Sequence, residues 1–367
     1  MPDPRPLIFD LTPDEVTAVV TDAGLPRFRG EQILNWVYQQ QVNDPAEMTS
    51  LSNEDRTRVA DMFRFSDARP VRHQIATDGV QKLLLGWGAH DPLAMADDPS
   101  NQTECVMIPA EDRRTACISS QVGCPVGCRF CASGLDGLDG NLTRGQIVEQ
   151  AWRLGRLDDV DRISHIVFMG MGEPLANFAA VAGAIETLTA EWGLHISARR
   201  ITVSTVGLPT QIRRLADADL PPVTLALSLH APNDKLRREL IPWADRVSID
   251  QLVDACRHYF DVTGREVTLE YILLGGINDQ PEHAAELAGV AGRLRANVNL
   301  IRYNEVEGLP YRRPGGSDVH HFQRILRKHH VNTHIRASRG RDIAAACGQL
   351  RATESAGAAE GPCEDNG

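Results

Sequence analysis

Residues 117 to 131 read CISSQVGCPVGCRFC, and four of the chain's eight cysteines fall inside that stretch. Cys124, Cys128 and Cys131 stand at C-x3-C-x2-C spacing, with Gly123, Pro125 and Gly127 to shape a tight loop. Three thiolates so placed can converge on one metal centre. Structural zinc usually takes four protein ligands in two separated pairs, and no second Cys/His pair lies at that spacing here. A four-iron cluster takes one thiolate per iron, so three cysteines leave one iron open to a cofactor or substrate. Zinc stays as the structural alternative. Cys117, a further thiol, stands seven residues upstream of Cys124.

The chain's bulk properties bound the reading. Its 367 residues, 42% hydrophobic and 24% charged, are those of an ordinary globular protein. The start, MPDPRPLIFDLTPDEV, carries no leader pattern, and no apolar run approaches the length that spans a bilayer, so a cytoplasmic protein without membrane contact is expected. In a reducing cytosol clustered cysteines more often bind metal or do redox chemistry than form permanent disulfides. A net charge of -11 weighs against coating nucleic acid through bulk positive charge, while local contacts with RNA stay open. Most basic doublets, such as Arg199-Arg200 and Arg237-Arg238, read as solvated faces. The stretch His334–Arg341 holds three arginines and no acid, and is set apart.

The elements that position the cysteines read as follows. Thr12-Pro13-Asp14-Glu15 predicts a helix start, and EQILNWVYQQ has helically spaced apolar positions, so 1–65 is expected to be a helical accessory domain. Residues 66–110 carry short alternating runs, VQKLLLGW and ECVMIPA, which predict a β-rich extension. Over 111–350 strand-like runs (HIVFM, RITVS, VTLALSL, VTLEYILL, VNLIRY) alternate with amphipathic stretches such as TRGQIVEQAWRLGRL and SIDQLVDACRHYF. That alternation implies a parallel sheet covered by helices. An open doubly wound sheet is the rival, although no G-x-G-x-x-G follows a strand. The tail, 351–367, is small and polar and is expected to be disordered, with Cys363 incidental.

With Phe130 the trio reads C-x3-C-x-aromatic-C, which resembles the signature of radical S-adenosylmethionine (SAM) enzymes. In that superfamily the amino and carboxylate groups of SAM chelate the open iron, and an electron from the cluster cleaves SAM to a 5'-deoxyadenosyl radical. The strand ends agree with such a site. Gly170-Met171-Gly172-Glu173-Pro174, Ser204, Ser228-Leu229-His230 and Asn304 each follow or end a predicted strand, on the rim where β/α barrels place reactive groups. Singly these are ordinary caps and turn residues. Together, Gly172, Glu173, Ser204, Ser228, Leu229, His230 and Asn304 suit a SAM cradle, in which glycine admits backbone, Glu173 accepts from the ammonium, and hydroxyls and amide hold ribose and carboxylate.

CISSQVGCPVGCRFC, FMGMGEPLAN, ITVSTVGL, LALSLHAPND, GGINDQPEHA and RGRDIAAACGQL together resemble the RlmN group of RNA adenine methyltransferases, over about residues 10 to 350. The resemblance implies a partial (βα)6 TIM-like barrel of the radical SAM type, with an N-terminal accessory helical domain and a small β extension. It implies one [4Fe-4S] cluster, two SAM per turnover, an external electron donor of flavodoxin or ferredoxin type, and a monomer. The substrates it implies are 23S rRNA at the peptidyl transferase centre and tRNA at the adenosine 3' of the anticodon, methylated at adenine carbon 2. That carbon is electron-poor and its C–H is neither acidic nor nucleophilic, so a carbon radical is needed to add there.

By the same resemblance Cys347 carries the methyl group, Glu104 is the base that removes the carbon 2 proton, and Cys117 attacks the sulfur of Cys347 to release product as a disulfide. Taken alone, Cys347 in an Ala-rich helical stretch would read as a buried inert thiol and Glu104 as a strand carboxylate. Cys256 reads as core and Cys105 as packing beside Glu104. Arg336, Arg339 and Arg341 precede Cys347 and are candidates for RNA phosphate contact. Where the family continues Thr-Gly-Gln-x-Gly-Phe after the cluster, this chain has Ser133-Gly134-Leu135-Asp136-Gly137-Leu138, which bears on the choice of RNA. The competing readings are a Cfr-like adenine carbon 8 methyltransferase conferring antibiotic resistance, a radical SAM enzyme that does not methylate, and a metal-stabilised RNA-binding module without catalysis.

Overall fold

Thr12 caps the first helix as its sequence predicts: its Oγ1 accepts from the Glu15 N–H, and the Glu15 carboxylate accepts from the Thr12 N–H at 2.7 Å. That helix is α1 (Pro13–Asp22), followed by α2 (Phe28–Leu34) and α3 (Asn53–Met62) in a computed structural model that describes residues 3–88 and 98–351. EQILNWVYQQ is helical to Gln39, with Asn35–Gln39 widened into a π-helical turn. Next come three strands, β1 (Ala68–Ile75), β2 (Gln81–Trp87) and β3 (Gln102–Pro109), paired antiparallel in that order. The tail from 352 onward, with Cys363, lies outside the described residues.

The remaining strands are β4 (Arg114–Cys117), a hairpin of β5 (Gln121–Gly123) and β6 (Leu138–Asn141), then β7 (His165–Phe168), β8 (Ile201–Thr205), β9 (Thr224–Ser228), β10 (Val267–Leu273), β11 (Ala296–Arg302) and β12 (Thr333–Arg336). Interleaved helices are α4 (Arg144–Leu154), α5 (Phe178–Thr189), α6 (Pro209–Ala216), α7 (Asp234–Leu240), α8 (Ile249–Thr263), α9 (Pro281–Ala291) and α10 (Gly316–Lys328). β4 pairs antiparallel with β3 and parallel with β7, and the parallel run continues through β8, β9, β10 and β11 to β12. Six strand–helix units thus precede a closing seventh strand, and β12 does not return to β1. The fold is an open barrel of the radical SAM type whose sheet is extended at one edge by β1–β3.

Strand alternation sorts side chains between two environments. Ala116, Ile166, Val203, Leu225, Leu269 and Leu300 point outward into the main core beneath the helices. Their neighbours Cys117, Val167, Thr202, Thr224, Glu270 and Asn299 line one cavity of about 620 Å³. One face of every parallel strand meets at that cavity, so the sheet curls around it.

The N-terminal helices share the barrel's core. Phe9 packs on Trp152 of α4 at 5.5 Å between ring centroids, and the Trp152 indole N–H donates to the Val37 carbonyl at 2.7 Å. At Gly145, in the first turn of α4, the Asp10 carboxylate accepts from the backbone N–H at 2.6 Å; a Cβ there would stand 2.8 Å from the Asp10 backbone nitrogen. Fully buried Glu149 accepts from the Asp67 N–H and the Ser66 hydroxyl and pairs with Arg153 at 2.8 Å, which meets the cost of burying its charge. Among the described residues no helix is long and apolar enough to cross a membrane.

Candidate active site

The three-cysteine loop leaves β5 at Gly123, whose φ of +73° and contact with Gly137 admit only glycine: a Cβ would fall 2.1 Å from the Gly137 oxygen. The Cys124 N–H donates to that oxygen at 2.6 Å, the Cys131 N–H to the Cys128 carbonyl at 3.1 Å, and the Arg129 N–H to Leu240 at 3.0 Å. The three cysteines pack half-buried against an apolar cluster that includes Val126, Phe130, Val206, Ile241 and Ile272. Burial pushes the Cys124 thiol up to about 12 and raises Cys128 and Cys131 as well, and neighbouring thiols add to the rise at each. Buried Arg237 opposes it at Cys128. Among the described residues no three His, Cys, Asp or Glu side chains gather around a single-ion site. Cluster ligands need not do so, because each thiolate binds its own iron.

The predicted strand-end residues ring the same end of the barrel. Gly172 has φ of +99°, and a Cβ would meet the Gln121 Cβ at 2.7 Å. Glu173 is buried; one carboxylate oxygen accepts from the Leu175 N–H at 3.1 Å and the other from the Val206 N–H at 2.7 Å. Burial nevertheless raises its carboxyl to about 7. The Ser204 hydroxyl donates to the Phe168 carbonyl at 2.6 Å, and Leu229 is core. His230 sits in the left-handed region at φ +57° with its ring edge-on to Phe130 at 5.1 Å. Its Nδ1 accepts from the Ile272 N–H at 3.1 Å, which leaves the ring proton on Nε2, and burial lowers it to about 3, so the ring is neutral. Ser228 shares the inward face of β9 with Thr224 and makes no side-chain hydrogen bond among the described residues.

The second pair of thiols lies deeper. Cys117, at the end of β4, and Cys347 line the same cavity, and both are free thiols. No disulfide joins them. Cys347 departs from the helix expected of its Ala-rich stretch. Ala344 at φ +51° and Gly348 at φ +82° hold it on a turn, because a loop, not a helix, can follow the curve from β12 back to the cysteine loop. Burial pushes Cys117 up to about 12; nearby Cys347 raises it further and Arg336 opposes. Asn304 donates to the Cys347 carbonyl at 3.3 Å and accepts from Arg313 at 2.9 Å, so its amide bonds to the turn that carries this thiol. Cys256 is core in α8 and Cys105 is buried on β3.

Arg336 lines the cavity with Cys347, its Nη1 3.6 Å from Glu270 and 3.5 Å from the Met169 sulfur. Arg339 and Arg341 are exposed. Glu104 is off the cavity wall, buried beneath the Cys347 turn. One oxygen pairs with Lys82 at 2.7 Å, and the other accepts from the Arg351 N–H at 2.8 Å. The segment carrying Cys347 is fastened on several sides. Gly348 accepts from the Ala132 N–H at 2.8 Å, Leu350 from the Ser133 hydroxyl at 2.7 Å, and Arg351 forms a bidentate pair with Asp136. Sequence reasoning passed over Lys82 and Asn278. The first lay in an apolar run, and the second in a quoted motif with no chemistry assigned to it.

Comparison with known proteins gives consistent matches. The family model for the radical SAM superfamily matches residues 118–288, and that for the ribosomal RNA large subunit methyltransferase N-terminal domain matches residues 8–64. A probable dual-specificity RNA methyltransferase RlmN of Rhodopirellula baltica is 44% identical over 92% of this chain and 88% of its own length. One from Gloeobacter violaceus is 44% identical over 95% of each. The crystal structure of a radical SAM methyltransferase from Sphaerobacter thermophilus superposes with a TM-score of 0.89 at 41% identity, covering 95% of this chain and 100% of that one.

Proposed function

The chain belongs to the RlmN family of radical SAM RNA methyltransferases, and from that premise we propose that it methylates carbon 2 of adenine in 23S rRNA and in tRNA through a methylated Cys347. The carrying observation is that Cys117 and Cys347, far apart in sequence and both free, face one cavity beside the three-cysteine loop. The donor set fits a site-open cluster: Cys124, Cys128 and Cys131 would hold it. Gly172, Glu173, Ser204, Ser228, Leu229, His230 and Asn304 would hold SAM. When bound, the cluster with an electron from a flavodoxin- or ferredoxin-type donor would supply reductive cleavage of SAM and hence a hydrogen-abstracting radical.

The chain's own groups divide the remaining work. Cys347 presents its sulfur-bound methyl carbon to the adenine, and Glu104, behind the Cys347 turn, is assigned the carbon 2 proton. The Cys117 thiolate then attacks the Cys347 sulfur, and the bond from that sulfur to the methylene carbon breaks. The carbon keeps the electron pair and takes a proton to become the product methyl. The adduct's one surplus electron passes back to the external donor, whose class also reduces the disulfide. Neutral His230, whose Nδ1 accepts from the Ile272 N–H, and the backbone-bonded Glu173 give a rigid rim rather than a second acid–base pair. Mass spectrometry of RNA after reaction with reconstituted enzyme tests the reading. 2-Methyladenosine is expected; 8-methyladenosine would transfer the chain to the Cfr-like reaction, and neither product would end both. Cys347→Ala is expected to abolish methylation, and Cys117→Ala to trap a covalent protein–RNA adduct visible on a denaturing gel.

A further inference from the structure

We propose that Lys82 is a positioning residue of the methyl transfer, whose ion pair with Glu104 holds the base ready and fastens both flanks of the segment that carries Cys347. The proposal rests on the assignment of Glu104 as the proton acceptor. Lys82 and Glu104 lie on neighbouring antiparallel strands, β2 and β3, where Lys82 is opposite Val106 and Leu84 is opposite Glu104. The pair is therefore diagonal on one face of the ribbon. Cys117, opposite Val106 on β4, shares that face, and Leu84, Val106 and Cys117 pack there against Ile343, Ala345 and Leu350.

Both charges are withdrawn from water, with 4% and 7% of their side chains exposed. Burying two ions costs more than their attraction commonly returns, so such a pair is weak evidence for a stabilising role and invites a positional one. The remaining bonds supply it. Lys82 Nζ donates to the Ala344 carbonyl at 3.4 Å, and the second Glu104 oxygen accepts from the Arg351 N–H at 2.8 Å. Residues 344 and 351 bracket Cys347, so the pair that holds the base also seats the methyl-bearing thiol. The other charged group acting on the carboxylate is Arg72 on β1, and the Cys105 thiol lies on the opposite face of β3. Burial raises the Glu104 carboxyl while Lys82 and Arg72 lower it. Without Lys82 the carboxyl would hold its own proton to higher pH and could accept one from the base only above that pH.

The test follows the pH dependence of single-turnover RNA methylation in the reconstituted full chain for the wild type, Lys82→Met, Lys82→Arg and Glu104→Gln, alongside amide hydrogen exchange of residues 340–351. Lys82→Met is expected to move the acid limb to higher pH by about one unit, a roughly tenfold slower reaction at a fixed pH on that limb, with recovery in alkali and faster exchange of 340–351. Lys82→Arg is expected to keep the limb in place, since it keeps the charge, and it serves also if Lys82→Met fails to fold. A Lys82→Met profile and exchange rate superimposable on the wild type would overturn the proposal, as would a shifted limb in Lys82→Arg. Normal turnover by Glu104→Gln would instead remove the assignment of Glu104. A block in Glu104→Gln with no change in Lys82→Met would remove only the role of Lys82.

Discussion

Gly172 shows how much a single missing side chain can matter at this site. Its φ of +99° disfavours any other residue, and the space a Cβ would need is taken by Gln121 and Ser120. Gly172→Ala is expected to cost about 1–3 kcal/mol, the usual range for such strained backbone, and to weaken SAM binding because the Glu173 backbone beside it must shift. Thermal melting and calorimetric titration with SAM would measure the two effects. At this scale the sequence was legible where residue type and spacing are themselves the chemistry: the three cysteines and the GMGEP turn stood out by type and spacing, whereas the distant thiols Cys117 and Cys347 were reached only through the family resemblance. It was not legible where a residue works through what it touches. Lys82 sits among leucines in QKLLL, and only strand pairing reveals that it faces Glu104 rather than solvent.

The loop after β10 carries the same lesson for elements. Asn278 is fully buried; its Oδ1 accepts from the Leu274 N–H at 2.7 Å, and its Nδ2 donates to the carbonyls of Ile272 at 2.7 Å and His230 at 2.9 Å. One side chain thus joins the ends of β9 and β10 and fixes the rim on which His230 stands. Asn278→Ala removes three buried hydrogen bonds and strands their partners, so a loss of about 2–4 kcal/mol is expected. Thermal denaturation checks it, and SAM affinity should fall in parallel. The long apolar strands were readable because burial on both faces writes a continuous hydrophobic run. β4 and β12 escaped that reading, since RTAC and THIR are four residues each and turn polar side chains inward. The β5–β6 hairpin, which frames the cysteine loop, is held by backbone contacts that leave no periodic signal.

At the level of the whole molecule, the N-terminal helices and the barrel are joined by one core. Phe9, Val37 and Trp152 belong to it together, and the Trp152 indole N–H is bonded across the seam. Trp152→Ala is expected to cost about 3–5 kcal/mol and to lower the melting of helices and barrel as one transition, followed by calorimetry; a separate early transition of the helical part would contradict the shared core. The order of parts along the chain gives the seat of Cys347 a further meaning. Among the described residues, the groups that hold residues 340–351 (Thr77, Asp78, Lys82, Glu104, Ala132, Ser133, Asp136, Asn304 and Glu305) precede them in sequence. Synthesis runs from the N-terminus, so the socket is complete before its plug leaves the ribosome. The nascent chain therefore passes through a stage in which the cysteine loop is made but not yet covered by residues 340–351, an interval in which its three thiols stand open to solvent.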